Sequence, residues 1–172
     1  MRFNILYEEL LKNIILEHSL APDIFFYPNV TVEPTLQALL LNRKGVKPRL
    51  NEMVRRHILA DIEALNNVDI NVPRRVEDFA VVGDCLRPLQ DVDKNVPVEV
   101  IINYDTHNLS DLMHSRLMHL HSIIHGRLLP GTQRKVFYYI RSTPIDLNMY
   151  NAVYHPFTDV WLKEPASFNI NL

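Results

Sequence analysis

The chain has 172 residues, 47% of them apolar and 22% charged, which is enough mass for one domain with a proper core. A formal net charge of −2 gives no global attraction to nucleic acid or to an anionic membrane. The single cysteine, Cys85, excludes an internal disulfide framework and suits a reducing cytosol. No apolar run reaches the roughly 18 residues of a membrane span. Met1-Arg2-Phe3-Asn4 leads into an acidic amphipathic segment rather than the apolar core of a signal peptide, so a soluble protein without a membrane partner is expected. There is no Gly-rich phosphate loop of the Walker or Rossmann type.

In chain order, Ile5, Leu6, Leu10, Leu11, Ile14 and Ile15 predict an amphipathic helix over 3–17. Pro22, Pro28 and Pro34 break the next stretch, where Phe25, Phe26 and Tyr27 read as core aromatics of a short strand or packed loop. A short helix is expected over 35–41. Lys47-Pro48 is expected to open a second helix, with proline at the first helical position, where its missing N–H costs nothing. Leu50, Met53, Val54, Ile58, Ile62 and Leu65 form its stripe as far as Asn66-Asn67. Arg43, Lys44, Lys47, Arg49, Arg55 and Arg56 make a basic patch around its start, a solvated helix end or a polyanion site.

Residues 68–76 read as a polar link. Two β-branched runs follow, Glu77 to Val82 and Pro97 to Tyr104, with Gly83-Asp84 and one helical turn between them. A helix from about Leu109 to His125 is capped by Asn108 or Ser110 and closed by Gly126. Lys135 to Ile140 is a third strand, and Val153-Tyr154 and Val160 to Leu162 are short strands before a tail. The order predicts an α+β or α/β fold, a mixed sheet covered by helices on one face. The expected organisation is an N-terminal helical or extended segment over 1–46, the main domain over 47–165 and a tail over 166–172.

Chemistry-bearing residues are few. Glu99 lies inside an apolar strand and shares a face with Pro97 and Ile101, while Val98 and Val100 face the other way. Its carboxylate belongs either to an edge strand with a wet face or to a metal or nucleotide site. His114, His121 and His125 fall near one another on the long helix. They are weak zinc candidates, because the spacing is not HExxH and no carboxylate accompanies it, so no metal is expected there. Nothing in the sequence places a base beside Cys85.

From about Lys47 to Pro165 the chain resembles the small nucleotidyltransferases encoded by T4-like and marine phages, members of the DNA polymerase beta superfamily. The residues that carry the likeness are Lys47-Pro48, Val82-Gly83, Val98-Glu99-Val100, His125, Tyr139 and the run Val160-Trp161-Leu162-Lys163-Glu164-Pro165. In that family a Gly-Ser turn holds the triphosphate, and three strand carboxylates hold two Mg²⁺ ions. Here Asp84 stands where the serine is expected and Pro97 where the first aspartate is expected. Phe137 takes the third carboxylate position, leaving Glu99 as the one acidic match. Gly83 and Asp84 are then the residual nucleotide-binding positions, and Asp91 and Asp93 offer an Asp-x-Asp motif in a shifted register.

The resemblance implies a nucleotidyltransferase-like fold with a degenerate site and no cofactor. Such a protein would serve as an interaction or structural component, such as a virion protein, in the host cytoplasm or the particle. Its partner would be a phage or host protein or a second copy of itself. The alternative is a working Mg²⁺-dependent nucleotidyltransferase acting on an unknown acceptor, with Mg²⁺ as its cofactor. A third expectation is a nucleic-acid-binding module using the basic patch.

Overall fold

The computed structural model describes residues 40–43, 46–86, 96–129 and 134–165. Strands β1 (Leu40–Arg43) and β2 (Val46–Leu50) pair antiparallel as a separate two-stranded sheet. Helix α1 (Glu52–Asn66) follows, then β3 (Val76–Val82), a 3-10 turn (Asp84–Leu86) and β4 (Val98–Tyr104). Helix α2 (Asp111–Ile124), β5 (Arg127–Leu128), β6 (Lys135–Arg141), β7 (Val153–His155) and β8 (Val160–Lys163) complete the order. The main sheet runs β5-β6-β4-β3-β7-β8. The β4–β6 pair is parallel and the other neighbours are antiparallel. A parallel pair needs a crossover, and α2 provides it.

Strand alternation sends two residue sets to opposite faces. Val81, Val98, Val100, Ile102, Val136, Tyr138 and Tyr154 meet Val54, Ile58 and Leu65 of α1 and Leu117, Leu120 and Ile124 of α2 in the main core. The other face carries a small cluster, Ala80, Val82, Ile101 and Val153, covered by Ile145 and Tyr150. The result is the expected mixed α+β fold, a sheet partly covered by helices.

Three expectations need correction. Lys47-Pro48 does not open a helix. It lies in β2, where Pro48 and Leu50 are buried and Arg49 is exposed, a period of two. Proline is tolerated there because both strands of a two-stranded sheet are edges. The helix starts at Glu52, because the Asn51 side chain accepts the Met53 N–H at 3.0 Å and so caps it. The expected helix over 35–41 gives way at Leu40 and Leu41 to strand β1, and the rest of that segment lies outside the described residues. Glu99 is not on an edge, since β4 sits between β6 and β3. The expected helix over 3–17, the Phe25-Phe26-Tyr27 run and the tail from 166 also lie outside the described residues.

The long helix is close to expectation. Ser110 accepts the Met113 N–H at 3.2 Å as its cap, and Gly126, with φ +80°, turns the chain after His125.

One buried polar cluster ties the layers together. Asp61 of α1, 1% exposed, accepts from Arg127 Nη2 of β5 at 3.0 and 2.8 Å and from the Tyr138 hydroxyl of β6. Burial pushes the Asp61 carboxyl up, opposed by the Arg127 charge and the Tyr138 hydrogen bond. Burial and the neighbouring Asp61 charge push the Tyr138 phenol well above its ordinary value. His57, one turn earlier, is held neutral: burial and then the Arg127 charge lower it to about 3. A second buried pair, Arg75 Nη2 to Asp69 Oδ2 at 2.9 Å, closes the loop after α1. Arg75 Nη1 also donates to the carbonyls of Asp105 and His107.

Removing one partner of a buried ion pair strands the other charge. Asp61→Ala is therefore expected to cost about 3–5 kcal/mol, and Tyr138→Phe, which deletes one hydrogen bond to a charged group, about 1.5–3 kcal/mol. Denaturant midpoints at unchanged slope check the ranking, and equal costs would contradict it. His57 gives a pH signature. Its folded value lies below its ordinary 6.5, so the unfolded chain takes up the proton first. Its contribution is complete above pH 6.5 and is lost as pH falls toward 3, by about 1.4 kcal/mol per pH unit. Stability curves of wild type and His57→Gln should converge as pH falls through this window, and parallel curves would refute the assignment.

Candidate functional site

The site is built where β3 ends and β4 begins. Val82 pairs with Glu99 in antiparallel register, and Gly83 then leaves the sheet with φ +89°. Only glycine adopts this conformation without strain. A Cβ at Gly83 would also lie 3.1 Å from Glu99 Oε2, so the carboxylate is folded against the bare turn. On the other side of β4, Glu99 is level with Phe137 of β6 in parallel register, and Tyr139 is level with Ile101. Glu99, Phe137 and Tyr139 therefore project from the face away from the helices. Glu99 and Phe137 are half-buried, and Tyr139 is 37% exposed. Among the described residues, no hydrogen-bond donor or cation is paired with the Glu99 carboxylate.

The other expected positions are dispersed. Asp84 is exposed at the start of the 3-10 turn. Pro97 precedes β4, half-buried. Asp91 and Asp93 lie outside the described residues. Cys85 is buried, and burial raises its thiol to about 12, which removes it as a nucleophile near neutral pH.

The histidines of α2 have separate fates. His114 is exposed. His121 Nε2 lies 2.7 Å from the Tyr138 carbonyl and donates to it, while the Tyr138 N–H donates to His125 Nδ1 at 3.0 Å. The two rings lie 4.7 Å apart. Burial, then the His121 charge, lowers His125, which keeps its Nδ1 free to accept. The end of α2 thus caps the edge of β6 beyond the two-residue β5, a use that helical spacing alone does not reveal. Among the described residues no group of three His, Cys, Asp or Glu side chains is placed to hold a metal.

The described part of the basic patch is occupied. Arg49 pairs with Asp159, which also accepts from the Tyr154 hydroxyl. Arg55 donates to the carbonyls of Pro156, at 2.7 Å, and Phe157, at 3.1 Å, and both Arg55 and Arg56 reach Glu52. These contacts fasten α1 and β2 to the β7–β8 turn, helped by Trp161 Nε1 donating to the Pro48 carbonyl at 2.8 Å. The side chains of Arg43, Lys44 and Lys47 lie outside the described residues.

A hydroxyl–imidazole–carboxylate cluster escaped the sequence reading. His155 Nε2 lies 3.0 Å from Asp78 Oδ1, and its Nδ1 lies 2.8 Å from Thr158 Oγ1. The Thr158 N–H also donates to Nδ1 at 3.2 Å, so the imidazole locks its own turn and ties it to β3. No sequence signal joins Asp78 to residues nearly eighty positions later. The same separation hid Asp61 and Tyr138.

Comparison with protein-family models, with curated proteins and with solved structures finds no match. Among the described residues no helix is long and apolar enough to cross a membrane.

The turn itself makes a prediction. Gly83→Ala forces an L-residue to a positive φ and crowds Glu99 Oε2, at a cost of about 1–3 kcal/mol. An unchanged thermal midpoint would show that the site does not depend on this turn.

Proposed function

We propose that the chain is a nucleotidyltransferase-like scaffold that no longer holds catalytic metal ions and works as a phage interaction or structural protein. One observation carries this reading: Phe137, an aromatic ring, stands level with Glu99 at the place where the resemblance calls for a third carboxylate. The element order supports it, with an antiparallel pair, a helical crossover and a third strand parallel to the second. A pair of Mg²⁺ ions needs several oxygen ligands and negative charge to offset its own, and one carboxylate beside a phenyl ring supplies neither. The partner is a protein of the phage or its host, or a second copy of the chain, met in the host cytoplasm or the virion.

The test is calorimetric titration of ATP, GTP, CTP and UTP with Mg²⁺ and with Mn²⁺, using wild type and Glu99→Gln. The expected result is no saturable binding at millimolar nucleotide in either protein. Binding that needs both the metal and Glu99 would overturn the proposal. The chain would then be a working Mg²⁺-dependent nucleotidyltransferase, with Asp91 and Asp93 as the next residues to change.

A further inference from the structure

We propose that the outer face of the β7–β8 hairpin is an interface with a second copy of the chain, joined across a two-fold axis. The inference rests on the reading of the chain as an interaction module and names its partner. Alternation fixes the face. Trp161 packs edge-on against Tyr154 of the main core, so Val160 and Leu162 project from the opposite side of β8. An exposed apolar group flanks them at each end. At one end the 3-10 turn Leu147–Met149 lies beside β8, held by Lys163 Nζ donating to the Leu147 carbonyl at 3.1 Å. The adjoining Ile145 and Tyr150 pack on the small cluster of that same face. At the other end the Phe157 ring meets His155, with centroids 6.5 Å apart, and His155 is the register partner of Val160.

Area sets the strength. Phe157 and Met149 are 62% and 66% exposed, and Leu147, Val160 and Leu162 lie between 38% and 47%. At on the order of 200 Å² for a large side chain, the five expose about 500 Å², the size of a functional patch. Two copies together bury about 1,000 Å², the low end for a specific interface, which gives a weak and concentration-dependent dimer. The two ends of the patch identify the occupant. An aromatic ring stands at one end and a methionine with a leucine at the other, and a thioether packs well against a ring edge. A two-fold axis crossing the strands turns one hairpin antiparallel to the other. Phe157 of each copy then meets the partner's Leu147 and Met149, and the Val160–Leu162 stripes lie on one another. The same operation carries the Lys163 ammonium to the end that bears the partner's Asp78, whose side chain is 45% exposed. A net charge of −2 per copy adds little repulsion.

The test is sedimentation velocity of the full chain from low micromolar to millimolar concentration, where a reversible monomer–dimer equilibrium is expected. Phe157→Ser and Met149→Ser should each weaken it about tenfold. Met118→Ser, at a position 55% exposed on α2 across the sheet, should leave it unchanged. Mixing the first two variants is the sharper arm. A Phe157→Ser copy keeps its Met149 and a Met149→Ser copy keeps its Phe157, so the mixed dimer retains one of the two end contacts and forms more readily than either variant alone. All variants are compared only where the thermal midpoint is that of the wild type. A chain monomeric throughout, dimerisation untouched by Phe157→Ser and Met149→Ser, or a mixture no better than its components would overturn the inference. Such a failure, with Mg²⁺–nucleotide also not binding, sinks the dimer alone. Binding of Mg²⁺–nucleotide that needs Glu99 sinks the interaction reading beneath it.

Discussion

Two parallel strands cannot be joined by a tight turn, so the β4–β6 pair forces the chain through a long crossover. Helix α2 makes that crossing and lies on the sheet face that already receives α1. The same pairing sets which residues are level across the sheet. It places Phe137 beside Glu99 and Tyr139 beside Ile101, and a slip of one residue would reverse the faces of the whole of β6. The character of the candidate site is therefore a consequence of register. An acidic residue at 137 would have made a carboxylate pair; a phenylalanine makes an apolar wall.

The register is held from outside the site. Tyr138, between the two aromatics in sequence, points to the opposite face and meets Asp61, which Arg127 also grips. On the edge of the strand, the backbone N–H and C=O of Tyr138 meet His125 and His121. One residue thus has its side chain fixed by a buried carboxylate and its backbone fixed by two imidazoles. An edge strand with open backbone groups invites pairing with another chain, and the histidines occupy those groups where β5 stops.

Much of the main sheet was legible in the sequence because its signals are local. The β-branched runs around Val81 and Val100, the glycine that leaves β3 and the Ser110 cap all fall within a few residues of the structure they specify. The face assignment of Glu99 followed from alternation alone. Lys47-Pro48 misled because proline suits both a first helical turn and an edge strand. Asn51, four residues after Lys47, decided between them by its side-chain cap. The strand neighbours of Glu99 were not legible in the same way, since whether a strand lies at an edge depends on pairing with distant segments.

The polar clusters were invisible for the same reason. Asp61, Arg127 and Tyr138 come from three elements, and each alone reads as a surface or core residue of its own segment. The basic patch shows the converse: Arg49 and Arg55 cluster in sequence, yet they meet Asp159 and the carbonyls of a turn a hundred residues later. Local charge density measured proximity along the chain, and the fold used it to join two ends of the domain.

The most direct measurement is a set of nuclear Overhauser contacts between the backbone protons of β4 and β6. Contacts placing Glu99 level with Phe137 and Ile101 level with Tyr139 are predicted. A set placing Lys135 or Tyr139 level with Glu99 would contradict the register, and with it the aromatic wall on which the proposed function rests.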